Sequence, residues 1–130
     1  MPDGEAIGRA ELLARFLDDE ELLSEVVTRF LAQLPSDLDA MRAAWAASDV
    51  AALHRRVHQL QGSLGLFGPG AAYASVSRLA SITRDGALSG VAAELDVLAT
   101  LLGQLAAELR RLVPPPPLPL DPDTPVDGSR

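Results

Sequence analysis

The sequence predicts an all-α protein, an antiparallel four-helix bundle with a short extra helix at its N-terminus. Three observations carry that expectation. Apolar residues recur every three or four positions in five successive segments, the period of a helix with one buried face. Apolar residues make up 48% of the 130-residue chain, yet only five are aromatic, so the core must be built from Leu, Val and Ala, of which Leu and Ala favour helix. No alternating strand pattern competes with these stripes. Proline, glycine and aspartate punctuate the chain at intervals that suit helix ends.

Residues 1–8, with Pro2, Gly4 and Gly8, are expected to fray, leaving a short helix from about Arg9 to Leu17. Asp18, with Glu21 three positions on, reads as the N-cap of the next helix in a capping box. That helix carries Leu23, Val27, Phe30, Leu34, Leu38, Met41 and Trp45. Pro35 falls inside it, and an interior proline removes a hydrogen bond and clashes with the preceding turn, so a kink or break is expected near Gln33 or Leu34. Ser48 and Asp49 end this segment and cap a third helix from about Val50 to Phe67. Gly68, Pro69 and Gly70 form a turn, with Pro69 suited to a helix start. The fourth helix uses Tyr73, Val76, Leu79 and Ile82 or Thr83, and stops at Asp85-Gly86. The fifth has the cleanest pattern: Val91, Leu95, Leu98, Leu102, Leu105, Leu109 and Leu112, an a/d heptad suited to bundle packing at a small crossing angle. The same run would also suit a dimerising coiled coil, but one such run beside four other apolar stripes favours packing within the chain. From Pro114 the character changes, and residues 114–130 read as a proline-rich disordered tail whose first half favours polyproline II. The domain is therefore expected to span residues 9–113.

Composition narrows the function. A formal charge of −7 argues against nonspecific nucleic-acid binding, which needs a basic surface. Absence of cysteine excludes disulfides and thiolate chemistry. No apolar run approaches the ~20 residues of a membrane span, and the first residues lack a signal-peptide pattern, so a cytoplasmic protein is expected. The chain has no P-loop and no kinase glycine loop, so it is not expected to take phosphate from ATP.

The most informative residues lie in the third helix. Leu53, Val57, Leu60, Leu64 and Phe67 form its apolar stripe, and at ~100° per residue His58 lies about 140° from the middle of that stripe, toward solvent. Gly62 and Gly65 follow on the side of His58. Each glycine costs a helix about 1 kcal/mol relative to alanine. Close approach of another protein to the ring is a physical reason to keep two of them; the alternative is a helix that ends near Gly62. His54 lies one turn before His58, an i,i+4 pair that could in principle bind a metal. No third ligand recurs in pattern, so no metal site is assigned, and His54 is read as a partner-surface residue or a hydrogen-bonder behind the site. Arg55 points about 60° from His58, and Arg55 and Arg56 could either meet an acidic partner or form a solvated face.

His58, Leu60, Gly62, Ser63 and Gly68 resemble the signature of the histidine-containing phosphotransfer (HPt) domain of phosphorelays, roughly H-x-L-K-G-S followed by a small apolar residue and glycine. The preceding helices, with a proline in the long helix and Asp49 before the histidine helix, are similar as well, and the resemblance covers about residues 9–113. It implies a phosphocarrier in which His58 is phosphorylated, with response-regulator receiver domains and a hybrid histidine kinase as partners. The receiver would supply the aspartate, the Mg²⁺ and a lysine, and the chain itself would hold no cofactor. Such a carrier is expected to act as a monomer. The chemistry suits an exposed ring, because an imidazole in water titrates near pH ~6.5 and a good fraction is neutral and nucleophilic in a cell.

Two positions depart from the family pattern. Gln61 stands where the family usually has lysine, and Ala80 where an acidic residue is common. The chain contains no lysine at all, its eleven basic residues all being arginine. Gln61 would offer a phosphoryl oxygen a neutral hydrogen bond rather than a charge. Gly62 would clear space, and Ser63 would sit near the helix–core boundary. The departures leave open a second reading, a docking protein of the same fold that binds a receiver or kinase without relaying phosphate. A bundle that self-associates through its last helix is a third.

Overall fold

The computed structural model describes residues 8–86 and 89–113, and within them five helices follow one another with no strand. They are α1 (Arg9–Ala14), α2 (Glu20–Ala46), α3 (Val50–Gly65), α4 (Ala71–Arg84) and α5 (Val91–Leu112). The expected frayed segment, apart from Gly8, and the whole proline-rich tail lie outside the described residues. Helix α3 packs between α2 and α4, α4 packs on α5, and α5 closes the ring on α2. Ion pairs report the antiparallel order: Arg42 near the end of α2 meets Asp96 near the start of α5 at 3.2 Å. No described helix is long and apolar enough to cross a membrane.

Each stripe turns inward as its spacing dictates. Leu23, Val27, Phe30, Leu34 and Met41 of α2, and Leu53, Val57, Leu60 and Leu64 of α3, are buried together with Val76 and Leu79 of α4 and Leu95, Leu98, Leu102 and Leu109 of α5. Two members of the α2 stripe fall short: Leu38 is half-buried, and Trp45 is still 38% exposed at the end of the bundle. In α4 it is Thr83 rather than Ile82 that is fully inside. In α5 the heptad holds for its first half and then drifts: Leu105 and Leu112 are half-buried while Ala106 and Val113 are buried. A straight α-helix repeats every 3.6 residues, so a strict 3.5-residue seam rotates off the core by about 20° per heptad.

Four expectations, three about helix ends and one about an interruption, are corrected. Asp19, not Asp18, caps α2, its side chain accepting from the Leu22 N–H at 3.0 Å. Leu17 and Asp18 both have left-handed backbone (φ 60° and 58°), and an N-cap needs the extended conformation that only Asp19 has. Helix α2 runs through Pro35 without a break. Phe30 and Leu34 before the proline and Met41 after it are all buried, so packing on both flanks overrides the local cost, and Pro35 itself faces solvent. Helix α3 ends at Gly65 instead of Phe67, and Pro69 precedes α4 by two residues rather than starting it. As expected, α2 closes on Ser48 (φ 57°), and Asp49 caps α3 through the Ala52 N–H at 3.1 Å.

Helix α1 crosses the end of the bundle where α3 and α5 terminate. Arg15 donates to the carbonyls of Gly65 (3.2 Å) and Leu66 (3.3 Å), and Arg9 donates to that of Leu112 (3.2 Å). Both place positive charge at the carbonyl end of a helix, where the Gly65 carbonyl also accepts from the Gly68 N–H at 3.3 Å. Gly68 has left-handed backbone (φ 98°), and a Cβ there would sit 3.4 Å from the Arg15 guanidinium, so the turn after α3 favours glycine on both counts. The core predicts a steep cost for truncation: Leu98→Ala, at a fully buried position, should lower the unfolding free energy by about 2–5 kcal/mol in urea titration, whereas Val97→Ala, 43% exposed, should lower it by less than about 1 kcal/mol.

Candidate functional site

The candidate site is the outward face of α3 together with the edge of α4 beside it. Because Leu53, Val57, Leu60 and Leu64 are each at most 2% exposed, α3 cannot rotate, and the opposite face must present His58 to solvent. Side chains of a helix lean toward its N-terminus. His58 therefore leans back over the preceding turn, where His54 stands, and the two rings lie 6.2 Å apart, inclined at 34°. By the same rule a side chain at position 62 would lean over His58. Gly62 leaves that approach open, and a Cβ added there would meet nothing within 4 Å.

The two histidines have different surroundings. Among the described residues none hydrogen-bonds to the His58 ring. His54 is half-buried, and its Nδ1 lies 2.8 Å from the Thr83 hydroxyl of α4. Gln61 is half-buried too and donates from Nε2 to the Ser77 hydroxyl at 3.0 Å. These two contacts mark the register of α3 against α4. Position 58 falls between them on one helix and position 80 on the other, so Ala80 lies opposite His58 and brings no acidic group to it. Arg55 and Arg56 are exposed. Gly65 differs from Gly62: it is half-buried, and a Cβ there would stand 3.7 Å from the Tyr73 ring, so α4 covers much of its approach. Ser63 is half-buried at the boundary position expected of it.

Sequence reasoning placed His54, Arg55, His58, Gln61 and Gly62 on one helix and could not see what α4 does to them. Ser77 and Thr83, which hold Gln61 and His54, were not identified as site residues. Their signal in the sequence is only that two hydroxyl residues sit six apart on the helix that pairs with the histidine helix. Near the end of α3, a groove of about 460 Å³ runs between Val26, Phe30 and Gln33 of α2 and Ser63, Leu66 and Phe67. Leu66 is half-exposed beside it. Among the described residues no group of three or more His, Asp or Glu side chains gathers as a metal-binding set.

The arrangement suits one chemistry: an accessible imidazole on a rigid helix, uncluttered on one side, with hydrogen-bonding groups but no lysine beside it. The comparisons with known proteins agree. The model of the Hpt domain family matches residues 25–108. A protein described as sensor histidine kinase GacS, from Pseudomonas protegens (strain DSM 19095 / LMG 27888 / CFBP 6595 / CHA0), is 36% identical over 90 residues. Those residues are 69% of this chain and 10% of that protein, so the chain spans about a tenth of the length of the curated relative. No solved structure matches the chain. With the family model covering well over half the sequence and the histidine standing exposed on α3, the chain belongs to the Hpt (histidine-containing phosphotransfer) domain family.

Proposed function

We propose that this protein relays a phosphoryl group between the aspartates of receiver domains through His58. Histidine phosphotransfer in a two-component phosphorelay follows from membership of the Hpt family; the identity of His58 as carrier and receivers as both donor and acceptor are the finer reading. The observation that carries it is the exposed His58 ring with the open flank at Gly62.

In the forward step, the lone pair of a neutral ring nitrogen attacks phosphorus of the receiver's acyl phosphate. The N–P bond forms as the P–O bond breaks, and the electron pair leaves with the aspartate carboxylate. The other ring nitrogen keeps its proton. The reverse step returns the phosphoryl group to a second aspartate. Such transfer depends mainly on positioning and charge stabilisation, so a single well-presented ring suffices on this side of the complex. The receiver would bring the aspartate, Mg²⁺ and a lysine, and no cofactor resides on this chain. Gln61 would use its second amide proton on a phosphoryl oxygen while Ser77 holds the first, and Arg55 would face the acidic rim of the receiver. A monomer is the working form, a reading supported by α5, whose Leu98, Leu102 and Leu109 are spent on the intramolecular core.

Phosphate transfer from a panel of phosphorylated receivers tests the reading. Acid-labile, alkali-stable label on wild type and on His54→Ala, but none on His58→Ala, is the expected result. Receiver binding without label under any condition would leave a docking protein, a reading kept open by the neutral Gln61 and by Ala80. Gln61→Lys should speed transfer, since it adds a cation where the phosphoryl charge arrives; an unchanged rate would show that charge at position 61 is irrelevant to the step, and a lower one that the neutral residue is tuned to this partner. Gly62→Ala separates fold from function: the fold should gain up to about 1 kcal/mol by thermal melting, because the methyl enters open space on a helix, while transfer slows at least several-fold as the receiver's approach is obstructed.

A further inference from the structure

Among the described residues, His54 is the titratable side chain near His58 that a hydrogen bond to another helix holds in place. Thr83 is buried, and its hydroxyl also lies 2.8 Å from the Leu79 carbonyl one turn back on α4. A hydroxyl has one proton. If it donates that proton to Leu79, its oxygen accepts from the His54 Nδ1–H, and three groups make two hydrogen bonds. If it donates to an unprotonated Nδ1, the second bond is lost. Hydrogen-bond count favours the first arrangement, with the proton of His54 on Nδ1. Nε2 is left as the ring's free nitrogen, on a ring whose centroid is 6.2 Å from that of His58. A phosphoryl group on His58 spans a good part of that distance.

Among the described residues, no other group on the inner side supplies a fixed positive charge. Gln61 is neutral and engaged by Ser77, and Ala80 lies opposite the ring. On α4, Arg84 turns to the Ser81 hydroxyl at 3.3 Å, and Asp85, the next residue, is exposed. On α2, Arg42 is held by Asp96 of α5, away from α3. On α3 itself, Arg55 is exposed, and Asp49 is occupied in capping the helix.

We propose that His54 is the cationic partner of phosphorylated His58: anchored through Nδ1 by Thr83, its protonated ring offers Nε2–H to the phosphoryl group and supplies the positive charge that Gln61 cannot. His54 does not carry the phosphoryl group. It acts as a positioning and charge-stabilising residue, and the proposal rests on His58 being the carrier. Linkage makes the effect reciprocal: if protonated His54 stabilises phosphohistidine 58, phosphorylation must make His54 easier to protonate by the same factor.

The chain has only two histidines, so both rings can be followed by NMR in the full chain before and after phosphorylation with phosphoramidate, with His54→Gln assigning the signals. Label on His58 with the His54 titration midpoint raised by about 0.5–1 pH unit is the expected result, the size for one or two negative charges at this distance in a largely aqueous setting. Well below the midpoint of the unphosphorylated protein, wild type should hold about threefold or more phosphohistidine at equilibrium with a receiver than His54→Gln does, and well above the raised midpoint the two should agree. In Thr83→Val, which keeps the buried volume but removes the anchor, the shift should shrink. Label on His58 with no movement of the His54 midpoint would overturn this proposal and leave the relay intact. No label on His58 would overturn the relay and this proposal with it.

Discussion

The rotational setting of α3 governs the rest of the molecule's chemistry. Leu53, Val57, Leu60 and Leu64 lock one face of the helix into the core, and each is too large and too buried to exchange places with a neighbour. Burying a leucine or valine contributes on the order of 1.5–3 kcal/mol, so four of them hold the helix against rotation far more firmly than any surface contact would. His58 is exposed because these residues are not. Its presentation is a by-product of hydrophobic packing and requires no dedicated support.

Around that axis the bundle works as a clamp with two kinds of contact. The α2 and α5 sides are apolar and set orientation. The α4 side also carries hydroxyls, Ser77 and Thr83, that reach across to Gln61 and His54. Hydrogen bonds of this kind add only about 0.5–1.5 kcal/mol each to stability, but they determine where side chains point. Helix α1 secures the far end by bringing Arg15 to the last carbonyls of α3 and Arg9 to the last of α5. The helix that bears the histidine is thus capped at its start by Asp49 and at its end by Arg15, which limits fraying on either side of the site.

In the proposed relay this domain would supply little machinery of its own. Phosphoryl transfer between a ring nitrogen and an aspartate needs alignment and charge, and a receiver can bring much of both. What this chain contributes is geometry: a ring leaning over its own preceding turn, an unobstructed approach at Gly62, and a second imidazole fixed 6.2 Å away. The absence of lysine throughout the chain shifts the question of charge to the residues that remain, and under the proposal above His54, held by Thr83, would answer it.

Local information was enough for the helices, the core and the family. The 3.6-residue stripes, the Asp49 cap and the His58–Leu60–Gly62 spacing are all short-range features, and each found its place. The break considered at Pro35 does not occur, because burial of Phe30 and Leu34 on one side and Met41 on the other carries α2 through it. Local information also misplaced the cap at Asp18, since whether that residue or Asp19 is extended depends on how α1 folds back over the bundle. The heptad of α5 promised one seam, and the straightness of a packed helix rotated its second half onto Ala106 and Val113. At the site, sequence alone put His54 and His58 one turn apart, since that spacing belongs to a single helix. Only the tertiary structure decided that Thr83 holds one ring, that Ser77 holds Gln61 and that Tyr73 covers Gly65, because those residues meet only when α3 and α4 pack side by side in one register.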